Sequence, residues 1–75
     1  MGANFIFNKM LPASPADGKP GDRRQTELLT HGDNVWLRIG PLNVEDGGID
    51  RYTVKLSEQD IQELLNGLKG LLIRY

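Results

Sequence analysis

One tryptophan and a set of cations recur at a step of two in this chain. Trp36 and Arg38 stand two apart, and Arg51, Thr53 and Lys55 repeat that step further on. Residues two apart on a β-strand project from one face. The spacing therefore predicts a sheet face that carries an indole, a hydroxyl and several positive charges. Such a face can hold single-stranded nucleic acid. Cations meet phosphates, and an aromatic ring stacks on a splayed base for roughly 1–3 kcal/mol per base, whatever the sequence. If about four cations per subunit touch phosphate, log affinity falls against log salt with a slope of about −3. The same residue types also make up an ordinary solvated sheet face, and taken alone that plainer reading stands first.

A second strand adds one arginine. If Leu28 is buried, Arg23, Gln25, Glu27 and Leu29 look outward; if Leu29 is buried, Arg24, Thr26 and Leu28 do so. The acidic residues mostly lie elsewhere: Asp17 and Asp22 in a loop, Glu45, Asp46 and Asp50 about a turn, and Glu58, Asp60 and Glu63 in a helix. The chain has nine Lys and Arg against ten Asp and Glu, a net charge of −1. That balance argues against a DNA mimic and supplies no global attraction to a polyanion. Any electrostatic case rests on where the charges sit.

No catalytic set can be assembled. His31 has no Ser or Cys nucleophile arranged with it and reads as a turn residue. Residues 45–50 place carboxylates near glycines but lack the ligand alternation and final glutamate of a calcium loop. Residues 18–21 lack the Gly-Lys-Ser/Thr ending of a phosphate-binding loop. There is no cysteine, and one histidine cannot make a zinc site. The expectation is a protein without enzymatic activity, metal or cofactor.

The elements that would position these residues follow from periodicity. Residues 4–10 read as a strand, with Phe5 and Phe7 alternating against Asn4 and Asn8. Three prolines and two glycines make residues 11–22 a long mobile loop. Residues 23–31 form a second strand. His31-Gly32-Asp33-Asn34 is a tight turn with glycine free to take a positive φ. Residues 35–39 are the clearest strand, with Val35, Leu37 and Ile39 on one face; Gly40-Pro41 bends or interrupts it, and residues 42–45 extend the ribbon. After a turn at Asp46-Gly47-Gly48, residues 49–56 make a last strand with Tyr52, Val54 and Leu56 facing one way.

A helix begins at Ser57. Ser57 with Asp60 three residues on makes a capping box, and Leu56 with Ile61 a hydrophobic staple. Ile61, Leu64, Leu65, Leu68, Leu71, Leu72 and Tyr75 then form one apolar stripe. Gly67 and Gly70 lie off it, and the helix can fray or bend there. The stripe is expected to bury itself on one face of a small antiparallel sheet. The result is a single α+β domain over residues 1–75, in the order β-β-β-β-α.

So short a chain buries only about 60% of the surface its unfolded form exposes. Without disulfides or a metal, association is the expected source of extra stability, and a homodimer the default. No run approaches a membrane span, and the start lacks a basic and apolar signal segment, which predicts a cytoplasmic protein.

Arg23-Arg24-Gln25-Thr26-Glu27-Leu28, then Val35-Trp36-Leu37-Arg38, then the run from Val54 through Leu56-Ser57-Glu58 to Ile61, resemble the positive cofactor four family of transcriptional coactivators and their small bacterial relatives. The resemblance covers the second half of the chain and part of the first. It implies a four-stranded antiparallel sheet followed by a helix, a homodimer packed largely through that helix, and single-stranded DNA along the sheet faces. Carried over position by position, it implies that Arg23, Arg24, Arg38, Arg51 and Lys55 hold phosphate and that Trp36 stacks a base. Two stretches depart from the family: Ile49-Asp50-Arg51-Tyr52 stands where a glycine and an extra lysine are usual, and Ile61 where the helix usually carries an aromatic.

Two functions follow as expectations. The first is a non-enzymatic protein that coats or remodels single-stranded DNA or RNA in transcription or replication. The second is a small protein-binding module, such as a phage- or mobile-element-encoded inhibitor of a host or defence protein, pairing through a sheet edge, the proline-rich loop or the helix stripe.

Overall fold

A computed structural model describes residues 2–43 and 51–75. Four strands, β1 (Asn4–Pro12), β2 (Arg23–His31), β3 (Asn34–Leu42) and β4 (Tyr52–Leu56), precede one helix, α1 (Glu58–Leu72). The strands form one antiparallel sheet in chain order. The expected α+β class and element order are met. The expected turn at residues 46–48, the ribbon positions 44 and 45, and the first two positions of the last strand lie outside the described residues.

Gly32 makes the β2–β3 hairpin possible. His31 pairs with Asn34 around a two-residue turn, and Gly32 takes φ +61°. A glycine in that conformation at the first turn position matches the type II′ geometry whose twist suits the flanking strands. The hairpin then sets the register Leu29↔Trp36, Leu28↔Leu37 and Glu27↔Arg38.

Gly40-Pro41 does not end β3, as its residue types suggested. Arg24 pairs with Leu42 and Thr26 with Ile39, so β3 carries an extra residue opposite Gln25. The bulge absorbs the dipeptide, and among the described residues β4 pairs with residues 35–39. A second bulge falls at Ile6 in β1. Phe5 opposes Leu29, yet Phe7 opposes Leu28. Phe5 and Phe7 therefore lie beside neighbours that point to opposite faces, where simple alternation predicted one face.

The proline-rich segment starts later than expected, because residues 11 and 12 belong to β1. Its remainder is closed by hydrogen bonds. Ala13 N donates to Asp22 O at 2.9 Å, and Ser14 O accepts from Asp17 N at 2.9 Å and Gly18 N at 3.1 Å. Asn43, in the left-handed region at φ 49°, ties this loop to the end of β3. Its backbone N donates to Arg23 O, its Oδ1 accepts from Arg23 N, and its Nδ2 donates to Asp22 Oδ1 at 3.0 Å. The Asn43 amide and the Lys19 backbone N–H hold the Asp22 carboxyl below its ordinary pKa.

The capping box is formed. Ser57 Oγ accepts from Asp60 N at 3.1 Å, and Asp60 Oδ2 accepts from Ser57 N at 3.0 Å. The second bond lowers the Asp60 pKa by favouring its charged form. The helix runs unbroken past Gly67 and Gly70 to Leu72.

The apolar stripe of α1, however, is not buried within the chain. No residue of α1 is buried, and Ile61, Leu64, Leu65, Leu68, Leu71 and Leu72 are all exposed. The helix meets the sheet chiefly through β4, the strand it follows. The sheet face that was to receive it, with Phe7, Leu28, Leu37 and Val54 side by side, is also open: Phe7 and Val54 are exposed and Leu28 and Leu37 half-buried. The chain exposes 6056 Å². A compact monomer of 8.4 kDa exposes about 4,600 Å². The radius of gyration, 14.0 Å, likewise exceeds the roughly 11 Å of a compact chain of this length.

Candidate nucleic-acid interface

Directly paired residues of neighbouring strands share a face. The pairings therefore assemble one surface from Phe5, Leu29, Trp36 and Lys55 in one cross-strand row and Asn8, Glu27, Arg38 and Thr53 in the next. Arg51, read from the sequence as part of the last strand, lies outside β4, which begins at Tyr52, and is exposed. Val35, Leu37, Ile39, Tyr52, Val54 and Leu56 pair on the other side. The expected phase of β3 and β4 is met. In β2, Leu28 shares the face of Leu37 and Arg23 that of Trp36, yet the buried leucine is Leu29, 6% exposed beneath the Trp36 face, while Leu28 is half-buried, so in the single chain burial does not follow the expected face.

Trp36 is half-buried and accessible. With Ala3, Leu29, His31, Arg38 and Thr53 it lines a shallow pocket of about 350 Å³. The proline-rich loop does not cover it, since that loop joins β1 to β2 at the far end of the sheet. A larger hollow of about 490 Å³ lies within that loop, among Pro12, Pro15, Lys19, Pro20 and Arg23. It holds no aromatic ring and no convergent polar set.

The cations differ in what they already touch. Lys55, directly across from Trp36, and Arg51 are exposed. Arg23 is exposed on the same face, six residues from Leu29, so the row of charges spans about 20 Å along the strands. Its Nη1 makes a long bond of 3.5 Å to Met10 O. Arg24 lies on the opposite face. Its Nη1 donates to Gly40 O at 2.9 Å and its Nε sits 3.8 Å from Asp17 Oδ2. It braces the loop and is not brought to the Trp36 surface.

Arg38 is held by Glu27. Nε donates to Oε1 at 2.6 Å and Nη2 to Oε2 at 3.1 Å, a bidentate pair. The Glu27 side chain is 3% exposed and that of Arg38 28%. The hydrogen bonds that Arg38 donates to Glu27 outweigh the desolvation of Arg38 and raise its pKa further. Glu27 and His31 are site residues that the strand spacing did not single out. The hairpin could have found the first, because a turn centred on Gly32-Asp33 sets Glu27 opposite Arg38.

Among the described residues, no group of three His, Asp or Glu side chains could hold a metal. No helix among them is long and apolar enough to cross a membrane. In comparisons with protein-family models, curated proteins and solved structures, the chain matches none.

Proposed function

We propose that this protein is a non-enzymatic, cytoplasmic homodimer that binds single-stranded DNA or RNA along the Trp36 face. One observation carries the reading. The exposed cations Arg23 and Lys55 share a face with the half-buried but accessible indole, while the exposed apolar residues of α1 and the Leu37 face provide a separate surface for a second copy.

The dimer rests on area. The excess over a compact monomer is about 1,400 Å² per chain. Covering it in a symmetric pair buries about 2,800 Å² in total, within the range of obligate homodimers. A chain that stays monomeric instead favours the second reading, a module whose apolar stripe seats an unrelated protein.

On the nucleic-acid face, Arg23, Arg51 and Lys55 supply the phosphate contacts, since Arg38 is paired and Arg24 faces away. Three contacts give a salt slope of about −2 per subunit for single strands, shallower than four cations would give. Titration with oligo-thymidine, read by Trp36 fluorescence, tests the proposal. Quenching that weakens with salt at that slope supports it. No quenching at low salt removes it.

A further inference from the structure

The Glu27–Arg38 pair makes Arg38 a poor phosphate ligand and a good reader of a base. A guanidinium has five N–H donors in a planar fork. Glu27 takes the Nε–H and one Nη2–H. The other Nη2–H and both hydrogens of Nη1 remain, and among the described residues Nη1 has no acceptor. The outer Nη1 and Nη2 hydrogens run parallel, so the free end of the group presents two donors side by side. The carboxylate cancels the charge that would attract a phosphate, and it fixes the plane of the fork.

Arg38 lines the Trp36 pocket, which at about 350 Å³ lies at the small end of the roughly 300–1,000 Å³ of ligand sites. It is sized for one ring system. We infer that the pocket takes a guanine, its ring against Trp36 and Leu29 and its O6 and N7 on the free Nη1 and Nη2 donors of Arg38. Guanine alone among the bases places two acceptors side by side on that edge, and paired arginine donors are their usual partner. Adenine sets an amino donor beside N7, which opposes an arginine donor. Thymine offers one acceptor there. Single strands leave that edge free. Glu27 is then a positioning residue that acts through Arg38.

The inference rests on the single-strand reading above, and the test separates the two. The probes are thymidine oligomers with one central guanine, 7-deazaguanine or adenine, titrated against the intact protein by Trp36 fluorescence. One guanine is expected to tighten binding about tenfold over the all-thymidine oligomer. Adenine gives no gain, and 7-deazaguanine, which keeps the ring but lacks the N7 acceptor, loses most of it. Arg38→Lys keeps the charge but not the fork, so the preference for the guanine oligomer over the all-thymidine one is expected to vanish. Equal affinity for the guanine and all-thymidine oligomers overturns the inference, and so does a 7-deazaguanine oligomer that binds as well as guanine. A guanine preference that survives in Arg38→Lys also overturns it, since an ammonium has no planar fork. The modified base probes the wild-type protein and so does not depend on how the variants fold. Failure to bind any oligomer sinks the single-strand reading and the guanine site together, whereas binding without base preference sinks only the latter.

Discussion

Replacing Leu68 by alanine separates a helix that packs on a second copy from one that stands in water. Leu68 is 52% exposed. About half of the 1.5–3 kcal/mol gained by burying a leucine side chain is thus still available to a partner, about 1 kcal/mol per chain. Two-fold symmetry counts the loss twice, so the dimer weakens by about 2 kcal/mol, or roughly 30-fold in Kd. In an isolated chain the same change costs at most about 1 kcal/mol of folding stability, the share of burial Leu68 already has, partly offset because alanine is the better helix former, and there is no association to weaken. Sedimentation equilibrium of both proteins across a dilution series reads the difference. Helix content at the highest concentration, by circular dichroism, is expected to match. A wild type that is monomeric throughout, or a variant whose dissociation midpoint does not move, refutes the reasoning.

Trp36→Ala is expected to weaken oligo-thymidine binding by about 1–3 kcal/mol with an unchanged salt slope, measured by anisotropy of a labelled strand; unaltered affinity removes the stacking role. Lys55→Gln should weaken all oligomers alike and reduce the slope by about 0.7; a base-dependent loss speaks against a phosphate contact. Arg38→Ala leaves the Glu27 carboxylate, 3% exposed, without its partner, a cost of about 3 kcal/mol. An unmoved urea midpoint would show that water reaches that carboxylate. The Asp22 and Asp60 carboxyls are both held below their ordinary pKa of 3.8, so the unfolded chain binds their protons more readily. Their contribution to stability is present above about pH 4 and is lost as pH falls through the lowered values. Thermal unfolding should therefore depend little on these groups from about pH 5 upward and fall in acid, with a smaller acid loss in Asp60→Asn.

Local pattern carried most of the architecture. The step of two from Val35 to Ile39 and from Tyr52 to Leu56, the Gly32 turn and the Ser57–Asp60 cap each act over a few residues, and each formed where its spacing placed it. The outward phase of Trp36, Arg38, Thr53 and Lys55 followed from them. The hairpin register also implied Glu27 opposite Arg38, although spacing within single strands does not display a cross-strand pair. Other features depended on longer-range geometry. A bulge inserts one residue without changing the residue pattern, so the split of Phe5 from Phe7 and the passage of β3 through Gly40-Pro41 depend on how the neighbouring strands pair. The position of α1 is the largest such case. Periodicity demands that its leucine stripe be covered but does not say by what, and the short junction after Leu56 leaves that stripe open in the single chain. Amphipathicity is a property of the sequence, whereas the surface that satisfies it is chosen by the packing of the whole assembly.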